Sequence, residues 1–180
     1  FNYLSYLGTP TMTAEEIAQK MYQLACSYNL RAGSSVTNIS LNGLNENFPE
    51  AMKIVEDLLY NAVPDENILA NLKADMLKSR ADAKLNQSSC FNALQTYTFN
   101  GPEFIDRTTL SNDEIMALTS EELLAKVRNL LGCQHEVLYY GPASESEVVK
   151  MISDNHVVAS DLKPLEKKYT EYISTPESKV

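Results

Sequence analysis

Thr13 to Leu59 reads TAEEIAQKMYQLACSYNLRAGSSVTNISLNGLNENFPEAMKIVEDLL, and the change of period inside it decides the fold class. Thr13 and Glu16 have the capping-box spacing that opens a helix. Behind them Ile17, Met21, Leu24 and Tyr28 recur at three- and four-residue steps, one helical stripe. The period then falls to two. Thr37, Ile39 and Leu41 share one strand face, with Asn29 to Ala32 as the partner strand across Gly33-Ser34-Ser35. From Asn47, with Glu50 three residues on, the helical period returns through Ala51, Ile54, Val55, Leu58 and Leu59. The segment therefore predicts helix, hairpin, helix, and its stripes are those of core-facing surfaces.

Working outward, Pro64 starts a third helix that runs to about Asn86, with Ile68, Leu69, Leu72, Met76 and Leu77 on its apolar side. Ser111 with Glu114, Thr119 with Glu122 and Ser144 with Glu147 mark further helix starts. Glu136 to Tyr140 (EVLYY) reads as a short strand between a helix ending at Gly132 and the stop at Gly141-Pro142, with one of Tyr139 and Tyr140 facing in and the other out. Few strands with helices gathered between them predict an α+β fold, helices packed on one face of a mainly antiparallel sheet.

Composition bounds the function. The chain has 180 residues, 44% of them hydrophobic, and a formal charge of −9 from 15 Lys+Arg against 24 Asp+Glu. These are the proportions of a soluble globular domain. The acidic balance argues against nucleic acid or an anionic membrane as partner, and no apolar run is long enough for a membrane span. Cys26, Cys90 and Cys133 are an odd number and widely spaced, so they read as buried thiols rather than disulfides or a zinc knuckle. The two histidines, His135 and His156, are distant in sequence and read as separate surface positions. There is no H-x-x-E-H, C-x-x-C, G-x-S-x-G or phosphate-binding glycine loop. Gly8-Thr9-Pro10 and Gly101-Pro102 are turn signals. Residue types and spacings alone thus assign no catalytic and no metal-binding residue.

Both ends read as parts of something longer. Phe1 to Leu7 (FNYLSYL) is apolar and aromatic without a basic leader, like the end of a buried element begun upstream. The expected division is a domain over 1–156 and a linker over 157–180. The linker is expected to add little to the core, with part of the segment that carries Val157, Val158, Leu162, Leu165, Tyr169, Tyr172 and Ile173 lying as an extended strap.

The order of segments resembles the pitrilysin/insulinase family of zinc metallopeptidases. The stretch YLGTPTMTAEEIAQKMYQLACSYNLRAGSSVTNISLNGLNENFPEAMKIVEDLL, then NLKADMLKSRADAKL, the GPEF…LS…EL run and the closing LYYGP carry the likeness, roughly Tyr3 to Pro142. The resemblance implies repeated α+β domains of about this size, one of which holds zinc through H-x-x-E-H and a downstream Glu on a long helix. Aligning Gly8-Thr9 with the family's Gly-Thr pair puts Tyr3 at the second His and Asn2 at the general base, with the first His before Phe1. The downstream Glu falls near Ser79. Phenol, amide and hydroxyl do not make this site.

By resemblance, then, this is a non-catalytic repeat from the second half of a multi-domain zinc-dependent metalloendopeptidase, inactive alone. Its first strand would precede Phe1. It would form part of the peptide-enclosing chamber and of the interface between halves, with other repeats of the parent chain and peptide or unfolded protein as partners. Zinc is expected in the catalytic repeat of the parent and no cofactor in this one. The alternative is a domain of a non-catalytic scaffold relative that binds and never cleaves. Sparse cysteines fit either periplasm or cytoplasm.

Overall fold

The computed structural model describes residues 2–33 and 36–164. In chain order the regular elements are α1 (Ala14–Gln23), β1 (Cys26–Ala32), β2 (Thr37–Gly43), α2 (Phe48–Asn61), α3 (Glu66–Ala83), α4 (Gln87–Asn100), α5 (Pro102–Thr108), α6 (Asn112–Ala117), α7 (Ser120–Leu131) and α8 (Glu145–Asn155). They fall into two compact units, divided within α3 after Leu69 and again after Leu118.

The first unit holds α1, the hairpin, α2, the first turn of α3, α7 and α8. Thr13 closes its capping box with Glu16, and Ile17 and Met21 are buried. The helix stops earlier than the stripe suggested: Leu24 is its C-cap, and Ala25 takes a left-handed φ of 49° that turns the chain into β1. Tyr28, read as the last helical position, is therefore a strand residue. Strands β1 and β2 pair antiparallel from Cys26↔Gly43 to Ala32↔Thr37, and Gly33 N–H donates to Val36 O at 2.9 Å across the turn. Cys26, Tyr28, Leu30 and Leu41 are buried or half-buried on one face, while the alternate residues are exposed. α1 and α2 pack on the hairpin. The α+β class read from the sequence holds.

Helix α2 buries Ala51, Ile54, Val55, Leu58 and Leu59, and packs against α7 and α8. Its expected cap is not one. A 3-10 turn over Asn45–Asn47 leaves Asn47 with helical backbone angles, and its Nδ2 donates instead to Leu24 O at 2.8 Å, tying the end of α1 to the start of α2. Gly8 is set by close approach: a Cβ there would lie 2.6 Å from Met12 O, which already accepts the Thr9 N–H at 2.7 Å.

Glu136 to Tyr140 is not a strand. The backbone here has one isolated bridge, Cys133 to Lys163, and among the described residues no strand runs beside it. A strand exists only as half of a ladder, and apolar alternation does not supply the other half. The alternation itself survives: Tyr139 is half-buried, donating to Asn45 Oδ1 at 2.6 Å, and Tyr140 is fully exposed. Beyond α8, residues 157–164 run without helix or strand. They are held by Tyr60 Oη–H to Val157 O (3.0 Å), Gln134 N–H to Lys163 O (2.8 Å) and Lys163 N–H to Gly132 O (2.9 Å). Leu165, Tyr169, Tyr172 and Ile173, the rest of the expected strap, lie outside the described residues.

The second unit holds the remainder of α3 with α4, α5 and α6. The third helix ends at Ala83 rather than near Asn86, because Asn86 caps the next helix, its Oδ1 accepting the Ser89 N–H at 2.9 Å. Gly101, with φ 77°, turns α4 into α5. Lys73 Nζ donates to the Met116 and Leu118 carbonyls at the end of α6, and Arg80 Nη1 donates to Asn112 Oδ1 at 2.9 Å. Met76, placed on the apolar side of α3, is about half exposed, as are several large apolar residues of α4. The thiols also differ from expectation: Cys26 is buried, Cys133 half-buried and Cys90 exposed.

Candidate functional site

Two polar clusters stand out in the first unit. The first contains Tyr3. A 3-10 turn over Leu4–Tyr6 buries Leu4 and holds Tyr3 at its start, 7% exposed. The Tyr3 hydroxyl accepts the Asp65 N–H at 2.8 Å and lies 2.8 Å from Ser120 Oγ and 3.0 Å from Asp65 O, both acceptors for its one proton. Asp65 caps α3 through Oδ1, which accepts the Asn67 and Ile68 N–H groups at 2.8 and 3.0 Å. The Ser120 N–H, at the start of α7, donates to Glu66 Oε1 at 2.8 Å. One phenol thus fastens the beginnings of two helices. Asn2, beside it, is exposed, and its carbonyl accepts the Ser5 hydroxyl at 2.8 Å. Ser79 is an exposed residue of α3 in the second unit. Among the described residues, no group of three or more His, Cys, Asp or Glu is arranged to hold a metal ion.

The second cluster joins Glu56, His156 and His135. Glu56 is on α2; its side chain is 14% exposed and that of His156 is 19% exposed. His156 is the C-cap of α8, and its Nδ1 lies 2.5 Å from Glu56 Oε1. His135, three residues past Gly132 at the end of α7, places its Nε2 2.8 Å from the Nε2 of His156. Its own Nδ1 lies 2.9 Å from Cys133 O. The two rings are nearly perpendicular, at 82°. Glu56 Oε2 is buried and makes no hydrogen bond among the described residues. Burial and the Glu56 charge raise the Tyr60 hydroxyl above its ordinary range.

This cluster corrects the reading of the histidines as separate surface positions. His135 is exposed, but it meets His156, and His156 in turn meets a carboxylate from a third element. Positions 56, 135 and 156 obey no spacing rule, and only the packing of α2 against α7 and α8 brings them together. Neighbouring Asp57 has a local explanation. Burial would raise it, but hydrogen bonds from Asn61, Thr9 and Thr11 outweigh this and hold its carboxyl below the usual range.

No family model and no curated protein sequence matches the chain. Among solved structures its fold is similar to that of the periplasmic protease PqqL from Escherichia coli, with a TM-score of 0.69 over 89% of this chain, at 14% identity. The match takes in 18% of that protease, so this chain spans less than a fifth of its length. At such identity the likeness is one of fold: a protease contains a domain-sized part built as this chain is.

Proposed function

We propose that this chain is a non-catalytic, pitrilysin/insulinase-like domain of a zinc-dependent metalloendopeptidase, forming part of the wall that encloses peptide and of the interface between the two halves of the parent. Two lines support the reading. The order of segments resembles that family over most of the chain, and the fold is shared with part of a periplasmic protease. The observation that carries the non-catalytic half is Tyr3. At the position of the family's second zinc-binding His stands a phenol whose hydroxyl is already held between the starts of α3 and α7. Asn2 at the general-base position and Ser79 near the third-ligand position have no carboxylate to take a proton or bind the metal. On this reading zinc belongs to another repeat, and the partners are the parent's own repeats and an extended or unfolded polypeptide.

The test is proteolysis. The purified chain, given zinc and an unfolded protein such as reduced casein, is expected to release no peptides in a chelator-sensitive way. The full-length parent is expected to do so. Sustained chelator-sensitive cleavage by the chain alone overturns the non-catalytic reading, and a parent that binds casein without cleaving it would be the scaffold relative.

A further inference from the structure

The tautomers of His135 and His156 are fixed by what their Nδ1 atoms face. Cys133 O and Glu56 Oε1 are acceptors, so each Nδ1 carries a proton. In the neutral rings both Nε2 atoms are then bare lone pairs, 2.8 Å apart and pointed at each other. That arrangement is repulsive unless positive charge lies between them. Three further features favour a cation there. Glu56 is mostly buried, with Oε2 unpartnered among the described residues. His156 caps the C-terminal, partially negative end of α8. The chain as a whole is acidic.

We propose that His135 Nε2 and His156 Nε2 form a binding site for a first-row divalent cation of the zinc class. Glu56 and the Cys133 carbonyl would act as the outer groups that orient the two imidazoles, and water would complete the coordination. Metal-bound histidines commonly donate their other ring N–H to a carboxylate or a backbone carbonyl, and this pair has one of each. The spacing agrees: nitrogens ~2.0–2.1 Å from a metal, at ~90–110° to one another, lie ~2.9–3.4 Å apart. To bind the cation, the pair would open by a few tenths of an ångström and the two rings would turn, so that their lone pairs converge on the metal and no longer on each other. Imidazole nitrogen prefers zinc, copper or nickel over magnesium or calcium. Bound there, the cation would clamp the end of α8 to the segment after α7, a role separate from peptide cleavage.

Zinc alone is the probe, titrated calorimetrically into the metal-stripped full chain, with thermal unfolding followed in parallel. The wild type is expected to take up one zinc per chain saturably and to unfold at a higher temperature as zinc rises, because binding favours the folded state. Magnesium should have no effect. His135→Ala is expected to remove the uptake and the thermal shift while leaving the metal-free midpoint in place, and His156→Ala to remove them from a different element. Glu56→Gln should weaken uptake about 10–100-fold. Absence of saturable uptake by the wild type overturns the site and leaves a shared proton between the rings. Uptake that survives His135→Ala, or that vanishes on thiol alkylation, overturns it in favour of another ligand set.

Discussion

The Tyr3 cluster and the His135 cluster are both built from side chains of remote sequence position, and they differ in how completely their polar atoms are matched. Around Tyr3 each buried group has a partner: hydroxyl to Asp65 and Ser120, Ser120 N–H to Glu66, helix N–H groups to Asp65. Around His135 two ring nitrogens face each other at 2.8 Å and, among the described residues, one buried carboxylate oxygen is unmatched. A fully matched network fixes packing. An incompletely matched one, half open to solvent, is where a ligand can supply what is missing.

Breaking the first cluster should have the largest effect. Tyr3→Ala removes a buried aromatic ring and its hydroxyl together, and is expected to cost about 3–5 kcal/mol in denaturant unfolding. Tyr3→Phe isolates the hydroxyl. It leaves the Asp65 N–H and Ser120 Oγ short of a partner, and should cost about 1–3 kcal/mol. A cost near zero would mean that water replaces the phenol, and that the Tyr3 cluster is less closed than its burial indicates.

In the second cluster, His135→Ala should change metal-free stability by no more than about 0.5 kcal/mol, as an exposed side chain does. A loss as large as that of Tyr3→Phe would erase the contrast and make the histidine pair structural. The smallest expected effect concerns acid. Hydrogen bonds within their capping boxes hold Glu16, Glu114 and Glu147 below the ordinary glutamate range, and Asp57 is also lowered. The unfolded chain therefore takes up these protons first as pH falls. The contribution is complete above the unfolded carboxylate range, about pH 4–5, and is lost below it. Glu147→Gln should flatten that acid limb slightly in thermal scans across pH, leaving the neutral midpoint nearly unchanged.

Local chemistry was legible wherever a few adjacent residues settle the outcome. The capping boxes at Thr13, Ser111 and Thr119 formed as their spacing dictates, because donor and acceptor lie within one helical turn. The two-residue period of the hairpin gave its pairing for the same reason. Reading failed where a residue had a remote alternative. Asn47 had Leu24 O to bind instead of its own helix, and Glu136 to Tyr140 had alternation without a neighbouring strand.

Legible in the sequence itself, therefore, were the α+β class, most helix starts, the presence of the hairpin and the absence of the H-x-x-E-H motif. Each is written in residues close enough along the chain for their backbone geometry to place them. Tertiary structure alone decided which polar groups meet. Tyr3 reaches Ser120, and Glu56 reaches His156, across separations that no period encodes. The physical reason is that helix packing is driven by non-directional burial of apolar faces such as that of α2. The polar atoms carried on the neighbouring faces are brought together as a consequence, and their match or mismatch is seen only once the helices are in place.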